Sequence, residues 1–541
     1  MTRLSWLLVL PALACGNVKK GGGDGGPGDG DGAPAGKQRL SVTVTGGGTV
    51  TSDPPGIECP ETCTADFDEG VEVTLTTTPN SDSGLASWGG DCSGLAATCA
   101  LTMDASRTAE VVFDLHGAAR WVAQISFPGS DMTQNDLALD GEGNPIIAGT
   151  VDQGEGRDLY VAKFDKVTGE MIWDTLIETP GAVENYGALA VDADGNAYAG
   201  ARILGVEPVT IDGTEVTTDL VGNIFVVRLA SATGDIEWVK QWGGGGQDEL
   251  NGMAVLGTNL IAVGETSSSP CDFDGTSVSD ADAFLVKIRL DNGNGVLAKG
   301  LVGNIHPLGV ATGNGRIGIA GWFLGSPTID AGCNITSAGT SSDDGFVAQF
   351  LPADLDCQWA KDFGDSAADN TASADAIAAY PGGGWVSTGG FEGNILFAES
   401  GTSLQSRGTY DAFAVRYADN GDHVWSFRYG DAGFDGGNAI ATTPDGSTFV
   451  TGNFESTITF GGFELEGPDD AWVTRMSPGE APAHEWAVAL GGDENDRPEG
   501  LAVSPEGYVY TLAYFSGMTN VDGEVMTALG DDDGWLGALV P

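Results

Sequence analysis

The chain has 541 residues, 85 of them Gly, with 77 Asp or Glu against 23 Lys or Arg, a formal net charge of −54. That charge repels a phosphate backbone and excludes nucleic acid as a partner. It serves either solubility in a salty exterior or divalent-cation binding by clustered carboxylates.

Met1-Thr-Arg3 precedes a Leu-rich stretch from Leu4 to Leu13 and then Ala14-Cys15-Gly16. One positive charge, an apolar run and a small residue before a cut site read as an export signal. Past this segment no run of eighteen apolar residues follows, the length a spanning helix needs. Gly21-Gly-Gly-Asp-Gly-Gly-Pro-Gly-Asp-Gly-Asp-Gly offers no apolar side chain to bury, and so reads as a flexible tether. The expected divisions are 1–15 as signal, 16–38 as tether, 39–115 as a small β domain and 116–541 as a repeat region.

In 39–115, Leu40-Ser-Val-Thr-Val-Thr alternates with period two, and Gly46-Gly-Gly-Thr-Val turns the chain into a second strand. Val71-Glu-Val-Thr-Leu-Thr and Thr108-Ala-Glu-Val-Val-Phe repeat the pattern. Cys59, Cys63, Cys92 and Cys99 read as a disulfide framework for a domain with a small core. Zinc is the rival, weakened by the lack of a nearby His.

From residue 116 the chain says nearly the same thing seven times, at a period of about 61 residues, in the range of solenoids and propellers. One mark is the strand Asp158-Leu-Tyr-Val, Asn223-Ile-Phe-Val, Asp282-Ala-Phe-Leu, Asp344-Gly-Phe-Val, Asp411-Ala-Phe-Ala, Asp470-Ala-Trp-Val and Asp533-Gly-Trp-Leu. The second is a strand opened by Trp121, Trp173, Trp238, Trp359, Trp425 or Trp486, with Leu297 in the remaining place. Each period holds two hairpins, such as Ala188–Gly200 turning at Gly195, and Asp411–Trp425. Two hairpins give a four-stranded antiparallel blade, so the fold is expected to be all-β, a seven-bladed β-propeller. Strands with small side chains, among them Asn251-Gly-Met-Ala-Val and Gly500-Leu-Ala-Val, belong innermost, where crowding is greatest, and the Trp strands outermost. The Trp121 strand lacks an aromatic partner and the Asp533 strand lacks a Trp partner, so the two are expected to pair and close the ring, removing two sheet edges. An insert follows the third strand: Thr210-Ile-Asp-Gly, Asp272-Phe-Asp-Gly, Thr328-Ile-Asp-Ala-Gly, Thr459-Phe-Gly-Gly and Asn520-Val-Asp-Gly. Only the first repeat lacks one.

Catalytic signatures are missing from the sequence: no G-x-S-x-G, no H-E-x-x-H and no nucleotide-binding Gly loop before a helix. His423 and His484 each stand two residues before a Trp in equivalent hairpins, which makes them repeat positions. Asp192-Ala-Asp-Gly-Asn resembles the start of a calcium loop, but position twelve is Ile203, just after Arg202, and both flanks read as strands, so it is expected to be a turn. Asp248, Asp369, Asp435 and Asp496, with Asp131, recur before the inner strand. They form either an acidic ring able to hold calcium or a set of turn-bonding side chains. Trp322-Phe323, Phe391, Phe454 and Tyr514-Phe515 either stack on a sugar or pack between blades. Of Cys271, Cys333 and Cys357, the last two share a repeat and are the expected pair.

Four resemblances accompany these readings. Ala14-Cys15 resembles the lipobox of bacterial lipoproteins, which implies acylation of Cys15 and a lipid anchor, with Gly16 implying passage to the outer membrane. Val42–Val50, Val73–Pro79, Trp88–Cys92 and Val111–Phe113 resemble the divergent internalin-B-type repeat. That implies bridges Cys59–Cys63 and Cys92–Cys99 in a non-catalytic surface module. Thr168-Gly-Glu-Met-Ile-Trp173 and Thr233-Gly-Asp-Ile-Glu-Trp238 resemble the blade-docking turn of pyrroloquinoline-quinone dehydrogenases, though only two repeats keep it. Residues 116–541 resemble the propeller-repeat surface lipoproteins of myxobacterial-type bacteria. The reading is an exported, monomeric, lipid-anchored cell-surface protein that binds a protein or glycan ligand, or serves for display, without catalysis or cofactor. The alternative is an extracytoplasmic enzyme with its site at one mouth of the central channel.

Overall fold

The computed structural model describes residues 33–541, except 128, 153–155, 180–182, 206–207, 218–220, 340–341, 366–369, 398–400 and 493–494, and except the side chains of 134, 135 and 183–186. The secondary structure of these residues is all strand and turn. Two compact units result: one of Val122–Pro505 with Val509–Gly537, the other of the chain up to Trp121 with Glu506–Tyr508 and Ala538–Pro541.

In the smaller unit, two four-stranded sheets enclose one core. The first has the order Thr64–Asp68, Lys37–Thr45, Arg107–Leu115, Ser83–Gly90, with its central pair parallel. The second has the order Glu58–Cys59, Gly48–Asp53, Glu72–Pro79, Thr98–Thr102. The period-two alternation puts Leu40, Val42, Val73, Leu75, Val111 and Phe113 inside. Trp88 is buried among them and donates its indole N–H to the Ala96 carbonyl at 2.8 Å. Cys59–Cys63 and Cys92–Cys99 are both bridged.

The larger unit holds seven four-stranded antiparallel blades. Their inner strands are Asp131–Leu139, Val183–Val191, Asp248–Leu256, Ile305–Gly313, Ala372–Ala379, Asp435–Thr442 and Asp496–Val503. The outer strands are Met171–Ile177, Ile236–Trp242, Gly295–Leu301, Cys357–Gly364, His423–Tyr429, His484–Leu490 and, in the seventh blade, Ala119–Ile125. The seventh blade therefore joins the start of the repeat region to its end, as the unmatched half-repeats required. Each inner strand touches that of the next blade, and Asp496–Val503 touches Asp131–Leu139, so the seven make a ring.

Middle strands are covered on both faces by neighbouring blades, which explains their near-continuous apolar sequences. Every residue of Trp385–Phe391 and of Asp344–Phe350 is buried, whereas the inner and outer strands mix buried with half-buried positions. Asp192 accepts the N–H groups of Asp194 and Asn196 ahead of Gly195 at φ +81°, as expected of a hairpin turn. Blades two to five insert a small hairpin before the third strand; in blades six and seven the second and third strands themselves run on as one long hairpin, Thr448–Phe460 with Phe463–Met476 and Val509–Val521 with Glu524–Leu539. Cys333, in the insert of blade four, is bridged to Cys357 on that blade's outer strand.

Blades lock to each other at the turn between third and outer strands. Trp173 donates to the Ser231 carbonyl at 2.9 Å, Trp238 to Leu290 at 3.2 Å, and Trp359 to Asp419 at 2.9 Å, each in the following blade. In blade three, where Leu297 replaces Trp, Lys287 reaches across at this turn, to the Pro352 carbonyl at 3.0 Å.

Candidate functional site

Each inner strand breaks register at one level: between Gln134 and Asp136, Glu184 and Ala188, Leu250 and Gly252, Pro307 and Gly309, Ala374 and Ala376, Gly437 and Ala439, and Pro498 and Gly500. Six one-residue β-bulges and a wider irregularity in blade two thus encircle the axis, and bulges re-aim side chains at barrel rims and active sites. The strand opposite must yield room. A Cβ on Gly264 would lie 1.9 Å from the Glu249 carbonyl oxygen, and one on Gly452 would lie 1.8 Å from that of Gly436.

The bulged residues Asn251, Asp375, Asn438 and Glu499 line a channel cavity of about 510 Å³ together with Asp136. Burial raises the carboxyl of Asp136 to about 6, opposed by the N–H groups of Leu189 and Leu137, which it accepts at 2.9 and 2.8 Å. Burial likewise raises Asp375 to about 6 and Glu499 to about 7, the latter eased by Arg497 and pushed further by Asp375. Several of these polar groups bind the wall. Asp136 holds the blade-two backbone at Leu189, and Asn251 donates to the Pro307 carbonyl of blade four at 2.9 Å.

Two positions before each bulge, cross-strand pairs stand at one mouth. They are Thr133/Thr150, Glu249/Glu265, His306/Trp322, Ser373/Gly390, Gly436/Asn453 and Arg497/Tyr514 in blades one and three to seven. The bulge repeats, but these pairs do not. Between blades three and four they border an open cavity of about 360 Å³ lined by Gln247, Glu249, Glu265, Ser267, Asn304 and His306 among others. The His306 imidazole meets Glu265 Oε1 through Nδ1 at 2.9 Å and Asn304 Oδ1 through Nε2 at 2.6 Å. It also stacks on Trp322, with centroids 3.6 Å apart and planes 11° from parallel. Glu249 Oε1 accepts from Arg202 Nη1 of blade two at 2.8 Å and from Gln247 Nε2 at 2.6 Å.

Of the two readings of the recurring Asp residues, the described ones follow turn bonding. Asp248, Asp435 and Asp496 are fully buried, each bonded to its own loop. Asp248 accepts from Gly244 N at 2.8 Å, Thr266 Oγ1 at 2.5 Å and Ser268 Oγ at 2.7 Å. Asp435 accepts from Asp431 N at 3.1 Å and Glu455 N at 3.2 Å, and Asp496 from Gly492 N at 3.0 Å. Among the described residues no group of three His, Cys, Asp or Glu is placed to hold a metal. Burial raises Asp435 to about 7 and Asp496 to about 6. Asp369 and Cys15 lie outside the described residues. Cys271 is a buried free thiol whose ionisation burial pushes up.

The recurring aromatics divide by strand alternation. Phe323, Phe391, Phe454 and Phe515 are wholly buried, while Trp322 and Tyr514 are half-buried and belong to the mouth pairs. His484 is surrounded by Phe427, Tyr429 and Phe460, and burial lowers it to about 4. Sequence reading passed over the cleft of Gln247, Glu249, Glu265 and Asn304. Its one available signal was departure from the repeat.

Residues 39–117 match the family described as the divergent InlB B-repeat domain. None of the curated proteins matches the chain. Solved structures similar to it include the quinohemoprotein alcohol dehydrogenase of Comamonas testosteroni, at 10% identity and TM-score 0.43, over 78% of this chain and 76% of that one. A protein from Lactobacillus plantarum aligns at 11% identity and TM-score 0.39, over 75% and 98%. Chaetomium thermophilum Sqt1, solved bound to the N-terminus of the ribosomal protein L10, aligns at 9% identity and TM-score 0.36, over 77% and 98%.

Proposed function

We propose that this chain is an exported surface lipoprotein of the myxobacterial type, anchored at the outer membrane through Cys15, whose propeller binds a macromolecule or glycan without catalysis. One observation carries the reading: a constant seven-fold frame presents a mouth ring whose side-chain pairs differ from blade to blade. Variable side chains on a rigid scaffold are how recognition surfaces are built. The Gly/Asp tether and the bacterial-surface repeat at 39–117 support display away from a membrane. A glycan-array and pull-down screen with the mature protein tests binding; no ligand in either would end the reading. Palmitate labelling of wild type and Cys15→Ala tests the anchor, and equal labelling would remove it.

A second reading, an enzyme with its site at the mouth, draws on the Glu265–His306 pair beside an open cavity. It requires a turnover that His306→Ala abolishes while ligand binding persists.

A further inference from the structure

We infer that the cleft between blades three and four is the ligand site of this surface, and that it takes a hydroxyl-rich sugar ring without negative charge. The inference rests on the binding-module reading and specifies where and what it binds.

Glu249 and Glu265 face each other directly across an antiparallel pair. Like charges so placed destabilise a sheet, and no other described mouth pair repeats that arrangement. The two carboxylates are held separately by neighbouring blades, Glu249 by Arg202 of blade two and Glu265 by His306 of blade four. The bonds described for both carboxylates, including the long one from Asn251 to Glu265, end on Oε1, so Oε2 of each stays available as an acceptor. His306 is fixed at both nitrogens and by its stack on Trp322, although it stands at the surface. Three blades thus collaborate to hold two acids and an imidazole in one geometry beside open space.

The cavity, about 360 Å³, lies within the range of small-molecule sites, roughly 300–1,000 Å³. Its wall is of carboxylate, amide, hydroxyl and imidazole groups, with Ile305 the apolar exception among the lining side chains. A ligand matching it must donate hydrogen bonds to carboxylate oxygens and both donate and accept at Gln247 and Asn304. It cannot carry negative charge, since Asp282 also lines the wall. An apolar ligand would strand these groups unpaired. Hydroxyls on a pyranose meet every requirement.

The test uses the mature full-length protein on an array of neutral, amine-bearing and acidic oligosaccharides, followed by titration calorimetry on the hits. Wild type is expected to bind glycans without negative charge. Glu265→Gln and His306→Ala should each weaken that binding about tenfold or more, with Gln247→Ala weakening it about three- to tenfold. Gln247 is exposed, so its variant reports on the cleft without a burden on folding, and melting curves confirm the other two. Glycan binding that all three variants retain would overturn the site while leaving the binding-module reading intact. Binding confined to acidic sugars would overturn the ligand class. Failure of wild type to bind any glycan or protein would end both.

Discussion

The Trp173 indole donates to the Ser231 carbonyl of the next blade at 2.9 Å, and its ring occupies the space that a Cβ on Gly234 would enter, 2.6 Å from Cε3. Sequence places Thr168-Gly169 before Trp173 and Thr233-Gly234 before Trp238, so one turn carries both the dock of its own blade and the plug of the blade before. Trp173→Ala removes a buried indole and is expected to cost about 3–5 kcal/mol, read from the midpoint of urea unfolding. Trp173→Leu should cost less, because Leu297 already fills this role in blade three. Equal losses from the two would show that packing around the ring, rather than indole size, sets the interface.

Gly452 should not tolerate a side chain. Its Cβ would meet the Gly436 carbonyl at 1.8 Å, backbone that cannot swing aside. Gly452→Ala is expected to lose about 1–3 kcal/mol through the forced shift of the bulge. Gly264→Ala, with a contact of 1.9 Å to the Glu249 carbonyl, should also displace the Glu249/Glu265 pair and weaken ligand binding. Unchanged melting and unchanged binding together would mean that the bulges relax freely.

The Cys333–Cys357 bridge closes a segment of 24 residues and ties an insert to the outer edge of its blade. The Cys333→Ser, Cys357→Ser double variant should be less stable by about 2–4 kcal/mol. Identical non-reducing melts of wild type and variant would show that the insert is held by its ion pair, Lys299 with Asp330, instead.

Stability should rise on mild acidification. Burial raises Asp136, Asp344, Asp375 and Asp496 to about 6, and Asp435 and Glu499 to about 7. Between the ordinary carboxyl range and those values the folded chain holds protons that the unfolded chain releases, so stability falls as pH rises from the ordinary carboxyl range to about 7 and levels off above it. His484, lowered to about 4, acts oppositely below its ordinary 6.5, and Asp140 and Asp330, lowered by Lys163 and Lys299 against their burial, lose their contribution only at stronger acidity. The melting temperature is therefore expected to be higher near pH 5.5 than at pH 8, with Asp435→Asn flattening the slope. A melting temperature that drops steadily from pH 8 to 5.5 would contradict this assignment.

Repetition made the frame legible. The D-[AG]-[FW]-[VAL] strands, the Trp strands and the unmatched halves at Trp121 and Asp533 specify four strands per blade, their order and the seventh blade's composition. The same repetition left two readings open at Asp248, Asp435 and Asp496. Recurrence there reflects similar turns to cap, and burial at 0% exposure removes the carboxylates from any shared centre. The aromatic pair Trp322-Phe323 divides because successive strand residues face opposite sides. Which of them reaches the mouth depends on the bulge at Leu308, a register event without a mark in the one-dimensional pattern. The cleft was hidden for a related reason: Glu249, Glu265 and His306 meet only through a cross-strand register and a blade boundary.

Joining Ala119–Ile125 to Glu524–Leu539 makes the seventh blade depend on strands from both ends of the repeat region. The strand that seals this blade is the first of the repeat region to be made, and its pairing edge stays open until Glu524–Leu539 follows. An arrested or clipped chain offers that edge to proteases and to other chains, whereas in the closed blade it is paired to Glu524–Leu539. Closure thereby works as a check on the chain's integrity, since the seventh blade is complete only when both ends of the repeat region are present.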